Sequence, residues 1–482
     1  MSKQSLREET AKGLFWGGFS NGLQQLLNLV FGIVLARLLT RSDYGMVGML
    51  AIFSAIASIL QESGFISALA NKKEVTSKDY NAVFWFSILC SSALYILLFF
   101  LAPFIADFYK IPELTALSRF CFLSFFISSF GIAPRAILFR NLKVKENTII
   151  ATTALICSGT IGIIMAANGF AYWGLATQSL IFVIIIVILN WHYAHWHPTF
   201  HIDFTPIKEM FGFSSKLLLT NIFGAVNNNL FSVLLGKFYT KQDVGDFSQA
   251  NKWNNMGQTF IIGMMNSVAQ PVLAGVADDK VRQLAIFRKM LRFTALVSFP
   301  VMFGLSLVSK ELIVITITDK WLDSAKILQL LCIYGAFAPI NNLFSTLIIS
   351  RGHSTVYLIN TIGLCLLQLL SACLAYPYGI TTMIYFFTGI NILWMFVWHY
   401  FVNREIHLSI KNMLKDISPY LLLSATLYIL VYFITMGISN IYLCVISKII
   451  IMSSLYFFIL WKMKSVILKE CIQFIISKKR KP

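Results

Sequence analysis

Arg135, Lys216, Lys252 and Lys448 each stand within or at the edge of a long apolar run. A cation at bilayer depth costs at least about 2.5–3.5 kcal/mol on insertion scales, so each needs a compensating role. A set of basic side chains with few acids beside it suits an anionic ligand of the phosphate or pyrophosphate kind. The main carboxylates in or beside such runs are Glu62, late in one, and Asp246, opening another. Amides form the second chemical set. Asn21, Gln24, Gln25 and Asn28 fall at i, i+3, i+4 and i+7, which places them on one helix face. Asn221 and Asn228 repeat that face in a later run, with Asn227 and Asn229 beside them. A stripe written twice favours two helices that line one shared, wet cavity. Each residue also has a plain alternative. A buried amide can bond a neighbouring helix for roughly 0.6–2 kcal/mol, and a cation near a helix end, such as Arg37, Arg119, Lys326 or Lys216, can snorkel to water.

The elements that must position these groups follow from composition. The chain has 482 residues, 57% of them hydrophobic and only 12% charged, with mean hydropathy +0.73. So little polar surface cannot solvate a globule of this size, and the chain reads as an integral membrane protein. Apolar windows long enough to cross a hydrocarbon core of about 30 Å fall near 14–39, 45–69, 81–106, 116–139, 147–168, 171–196, 213–236, 246–275, 286–309, 326–350, 354–376, 379–401, 417–436 and 439–461. The expectation is an all-α polytopic protein of about 14 transmembrane helices. The eighth window opens almost polar, with Asn251, Lys252, Asn254, Asn255 and Gln258.

One helix end and turn is written twice. VLARLLTRSDYG at 34–45 is answered two hundred positions later by LLGKFYTKQDVG at 234–245. The ungapped comparison pairs Asn21 with Asn221, Asn28 with Asn228, Phe31 with Phe231, Leu35 with Leu235, Thr40 with Thr240, Asp43 with Asp243 and Gly45 with Gly245. Trp191-His192-Tyr193 recurs as Trp398-His399-Tyr400, and Ala133-Pro134 as Ala338-Pro339. Repeated membrane folds place their substrate site where the repeats meet. Six windows separate the copies, so the repeated elements point the same way and a pseudo-twofold axis along the membrane normal relates the halves. This gives a first lobe over 1–200, a second over 213–402, and two further helices with a basic tail over 403–482. Pro134 and Pro339 each remove a backbone hydrogen bond, so kinks are expected at equivalent places.

Charge sets the orientation. Outside the windows, Arg41, Lys110, Lys237, Lys241, Lys310 and Lys320 fall on one side, and the far larger remainder shares the side of the N-terminus. The positive-inside rule then makes both termini cytoplasmic. The formal net charge of +18 belongs mostly to those loops and to the KKRK tail at 478–481, which suits anionic headgroups and not nucleic acid. The long, glycine-rich first window, followed by further spans, is unlike a cleavable signal.

Several classes of chemistry are excluded. No G-x-x-x-x-G-K-[ST] loop occurs, so transport would be secondary. The outer loops are short, the longest near 310–321, which leaves little room for the carboxylates and groove of a polysaccharide-building enzyme. The eight cysteines are scattered without a C-x-x-C pair and read as inert. His192, His195, His197 and His201 invite a metal reading, but Trp191, Tyr193 and Trp196 interleave them as an interfacial aromatic belt does. No metal or cofactor is expected.

LARLLTRSDYG at 35–45, GFISALANKKE at 64–74, DYNAVFWF at 79–86, FGFSSKL at 211–217, GDFSQANKWNN at 245–255, QPVLAGVADDKVRQLAIFRKMLRF at 270–293 and DKWLDSAKILQLL at 319–331 resemble the bacterial polysaccharide transporters. These are Wzx-type repeat-unit flippases of the multidrug/oligosaccharidyl-lipid/polysaccharide (MOP) exporter superfamily, in the branch associated with colanic and teichuronic acid export. The chain departs from the family's usual prolines at Arg41 and near Met256. The resemblance implies a V-shaped, two-lobed protein of the bacterial inner membrane. By alternating access it would turn undecaprenyl-pyrophosphate-linked oligosaccharides to the outer leaflet for O-antigen, capsule or exopolysaccharide. Arg135, Lys216, Lys252 and Lys448 would then serve the pyrophosphate. Asn21, Gln24, Gln25, Asn28, Asn221 and Asn228 would meet sugar hydroxyls, and Glu62 or Asp246 would couple an ion. The bilayer, a polysaccharide polymerase and a chain-length regulator are the partners implied. Alternatives are a multidrug and toxin extrusion (MATE) antiporter, a lipid II flippase, and a non-transporting polymerase or scaffold subunit.

Overall fold

The structure, a computed structural model, describes residues 22–62, 75–141, 143–200, 203–276 and 278–463, together with Leu69 and Lys72. Among these every regular element is a helix, as bilayer solvent requires, because helices satisfy their backbone groups internally. In order they are α1 (Gly22–Leu38), α2 (Arg41–Glu62), α3 (Ser77–Tyr109), α4 (Leu114–Ser129), α5 (Ile132–Arg140), α6 (Val144–Ala167), α7 (Tyr172–Ala194) and α8 (Thr205–Phe238). There follow α9 (Lys241–Gly275), α10 (Lys280–Ile317), α11 (Leu322–Ser350), α12 (Ser354–Ala375), α13 (Ile380–Ile406), α14 (Ile410–Thr435) and α15 (Ile441–Lys462). Among the described residues nine helices are long and apolar enough to cross a membrane, or ten if the bent pair α4–α5 counts as one span. The chain is a multi-pass membrane protein. The helices outside that set are α1, α2, α8 and α9, which carry the repeated turn and most of the intramembrane amides.

The chain divides into two compact units, Met1–Gly245 and Asp246–Pro482. In the first, α3 packs on α4, α6 on α7, and α2 on α8. Small residues bring α6 and α7 together: a Cβ on Gly174 would lie 3.3 Å from the Gly162 carbonyl oxygen, and one on Gly162 3.0 Å from Gln178. In the second unit α11 is the central helix, packed on α10 and α13. Its Leu328, Cys332, Ala336, Leu343 and Phe344 are buried, with Phe344 stacked on Phe287 of α10 at 5.7 Å. Ser298 of α10 donates to the Ala336 carbonyl at 2.7 Å, fixing the register of the pair.

Proline fates differ between the two expected kinks. The window 116–139 is broken: α4 and α5 meet at 50°, and Pro134 sits in the first turn of α5. There its missing N–H costs nothing. The carbonyl four residues back, on Phe130, accepts Trp191 Nε1–H at 2.8 Å. By contrast α11 runs unbroken from Leu322 to Ser350 through Pro339. The same rescue recurs at other prolines. Pro103 frees the Phe99 carbonyl, which accepts Arg119 Nε–H at 3.3 Å while the guanidinium lies 4.0 Å above the Phe99 ring. Pro300 frees the Leu296 carbonyl, which accepts the Tyr456 hydroxyl at 2.9 Å. Arg119, open to a snorkelling role by sequence, is therefore held against α3 at the carbonyl that Pro103 frees.

Candidate functional site

The repeated turn is built identically in both copies. Thr40 N–H and Oγ1–H donate to Asp43 Oδ2 at 2.8 and 2.6 Å, and Asp43 N–H returns to Thr40 Oγ1 at 3.3 Å. Thr240 and Asp243 repeat the set at 3.0, 2.7 and 3.3 Å. Each box stops α1 or α8 and starts α2 or α9, with an aspartate in the first turn where the helix dipole favours it. The two starts also cross each other. A Cβ on Gly45 would overlap the Lys241 carbonyl, and a Cβ on Gly245 would overlap the Arg41 carbonyl. The contact is reciprocal, as a local twofold relation between the first turns of α2 and α9 requires. It fixes where α1 and α8 end, and hence where their amides stand.

On α1, Gln25 and Asn28 are exposed and Gln24 is half-buried; on α8, Asn221 and Asn228 are exposed. Among the described residues, a Cβ on Gly22 or Gly224 would meet nothing within 4 Å, so neither helix is closely approached at that glycine. Asn229 donates to the Ala225 carbonyl of its own helix at 2.9 Å. Asn21 lies outside the described residues, as do the side chains of Lys216 and Glu62. Arg135 is exposed on α5, and Lys252 is exposed on α9. These candidates divide between the units: the amides, Arg135 and Lys216 belong to the first, and Lys252, Asp246 and Lys448 to the second.

Asp246 and Lys448 are held by partners within the second unit. Asp246, 2% exposed, accepts Ser324 Oγ–H of α11 at 2.9 Å. Lys448 of α15 is buried and donates to Glu311 Oε1 of α10 at 2.6 Å and to the Leu307 carbonyl at 3.1 Å. The sequence placed Glu311 in a loop after a window ending at 309; α10 instead continues to Ile317, and Trp321 beyond it is fully buried. The run of apolar residues through Ile317 was the available signal. The sequence marked Asn254 and Gln258 as part of a polar opening to the eighth window and gave them no role; with Gln249 they form a buried polar face of α9. Gln249, Asn254 and Gln258 are 2, 0 and 6% exposed, and Asn254 and Gln258 pack against Gly335, whose carbonyl Pro339 frees. Among the histidines, His192 and His195 lie 6.2 Å apart, while Trp191 and Trp196 pack around Phe84 at 5.8 and 5.7 Å; His201 lies outside the described residues.

Residues 34–326 match the family model described as polysaccharide biosynthesis protein. The chain belongs to that family. Among its relatives is the teichuronic acid biosynthesis protein TuaB of Bacillus subtilis (strain 168), 24% identical and aligned over 90% of each chain. Another is the lipopolysaccharide biosynthesis protein WzxC of Escherichia coli (strain K12), 22% identical over 72% of this chain and 71% of that one. The fold is similar to that of the lipid II flippase MurJ in an inward closed conformation, with a TM-score of 0.75, 16% identity, and coverage of 95% of this chain and 100% of that one.

Proposed function

We propose that this member of the polysaccharide biosynthesis protein family is a secondary transporter. It turns undecaprenyl-pyrophosphate-linked oligosaccharide repeat units from the cytoplasmic to the outer leaflet of the bacterial inner membrane. The observation that carries the reading is the amide face repeated on α1 and α8, exposed in both copies and set by matching Thr–Asp turns. An amide turned to lipid would leave its hydrogen bonds unmade. Facing water or a sugar, it makes them. Gln25, Asn28, Asn221 and Asn228 therefore meet sugar hydroxyls, with Asn21 and Gln24 extending the face. The exposed Arg135 and Lys252, with Lys216, attract the pyrophosphate. Lys448 contributes as a charge already matched by Glu311. Asp246 and Glu62 are the coupling carboxylates of the proposal, and Asp246 would exchange its Ser324 bond for an ion.

In this reading α1, α2, α8 and α9 join the nine apolar spans and the bent pair as membrane crossings, giving fourteen. Their polar faces are what lower their hydropathy. The lobes 1–200 and 213–402, the appended helices from 403 and the cytoplasmic placement of both termini complete the proposal. A polymerase and a chain-length regulator would receive the product. The fold shared with the lipid II flippase favours one second reading, flipping of that lipid-linked precursor itself.

Deleting the gene and extracting lipid-linked oligosaccharide tests both. Loss of surface polymer, with the oligosaccharide trapped on the cytoplasmic leaflet, is the expected result. Unchanged polymer with accumulated lipid II shifts the assignment to the second reading, and unchanged levels of both lipids remove the flippase.

A further inference from the structure

At its C-terminus α11 closes on a glycine. Gly352 is left-handed, with φ 82°, and the amides of Gly352 and His353 return to the carbonyls of Ile349 and Ile348 at 2.9 and 3.1 Å. This turn sets Arg351 and His353 on either side of Glu405 near the end of α13. Arg351 Nε–H donates to Glu405 Oε2 at 2.7 Å, and Nη1–H donates to Gln283 Oε1 at 2.5 Å. His353 Nε2 lies 3.2 Å from Glu405 Oε1. Beside this trio lies a cavity of about 310 Å³, walled by Ile348, Val356 and Phe401 and edged by His353, Arg404 and Glu405. That volume falls at the low end of the range for small-ligand sites.

The charges at this cavity are unequal. Glu405 is matched by Arg351, whereas Arg404 is exposed and has no ion pair among the described residues. What remains is one guanidinium and one imidazole above an apolar wall. An arginine supplies paired N–H groups that fit phosphate oxygens, and basic pockets between membrane helices on the cytoplasmic side suit lipid headgroups. We propose that this cavity holds a phosphate group, from an anionic lipid headgroup or from free phosphate. Arg404 and His353 contact its oxygens, and Ile348, Val356 and Phe401 meet the glycerol and first acyl carbons when a lipid supplies it. The inference rests on the orientation proposed above, which places this turn with most of the chain's cations.

The test titrates the purified full-length chain with palmitoyl-oleoyl phosphatidylglycerol or phosphatidylcholine in detergent and counts bound lipid by native mass spectrometry. The wild type should hold the glycerol lipid roughly tenfold tighter than the choline lipid, and Arg404→Gln should erase that preference. Arg404→Lys should restore part of it, and Lys411→Gln, an exposed cation on α14, should leave it unchanged. Millimolar inorganic phosphate, added alone, separates the sources. Displacement of the lipid by phosphate, lost in Arg404→Gln, identifies free phosphate as a competing ligand of the same site. Equal lipid preference in the wild type and Arg404→Gln overturns the site. A cysteine replacing exposed His407 in a cysteine-depleted chain tests orientation separately. Labelling by an impermeant maleimide in inverted vesicles only is expected; labelling in intact cells overturns the orientation and leaves the titration to decide the site.

Discussion

Gly45 and Gly245 each carry a backbone contact that no side chain could share. Gly45→Ala or Gly245→Ala would drive a Cβ into a carbonyl of the opposite turn. Overpacking of this kind costs roughly 1–3 kcal/mol. Both variants should melt at lower temperature in detergent, whereas Gly263→Ala, whose Cβ would meet nothing within 4 Å, should melt at or above the wild-type temperature. Equal melting of the three would show that the α2–α9 crossing has room to spare. The Lys448–Glu311 pair gives a second residue-scale prediction. Lys448→Met alone leaves a buried carboxylate uncompensated and should cost about 3–5 kcal/mol. Adding Glu311→Leu should recover most of that loss, because both charges are then gone. Failure of the double variant to recover would mean the pair does more than neutralise itself.

Among the helices, neighbouring side chains decide how far a proline disturbs its helix. Tyr456 of α15 occupies the carbonyl that Pro300 frees in α10. Tyr456→Phe strands that buried carbonyl and should destabilise by about 1–3 kcal/mol. In a Pro300→Ala background the helix supplies its own N–H, so the same change should cost markedly less. Additive losses in a double-mutant cycle would break the link between hydroxyl and proline. Through this bond α15 is tied to α10 beside Pro300. A transport defect in Tyr456→Phe with normal membrane insertion would locate part of the moving machinery there.

For the whole molecule, the prediction concerns export. Neutralising Arg135 and Lys252 together should abolish surface polysaccharide while the protein reaches the membrane at normal level. Both are exposed. Replacing Gln25 and Asn228 by leucine should have the same effect through the sugar, with lipid-linked oligosaccharide accumulating. Normal export in either double variant would remove that set from the substrate path.

Much of this was legible in the sequence. Apolar length alone determined a helical membrane protein, because a bilayer leaves the backbone no other solution for single spans. The Thr–Asp turn at 40–43 and 240–243 was visible as a repeated motif, since a capping box uses neighbours three residues apart. The amide stripes were visible for the same local reason: helical periodicity alone places Gln25 and Asn28, or Asn221 and Asn228, on one face. Tertiary structure decided what depends on distant partners. Nothing near Glu311 announces that Lys448 will meet it, and a window cut at 309 hid it in a loop. Ala133-Pro134 and Ala338-Pro339 are the same dipeptide, yet one stands at a 50° break and the other inside an unbroken α11. Gly45 and Lys241 are far apart in the chain and touch only because two turns cross. Helix formation and capping are satisfied within a few residues of chain, whereas charge neutralisation, rescue of a freed carbonyl and close backbone approach are satisfied only by whatever the fold brings alongside.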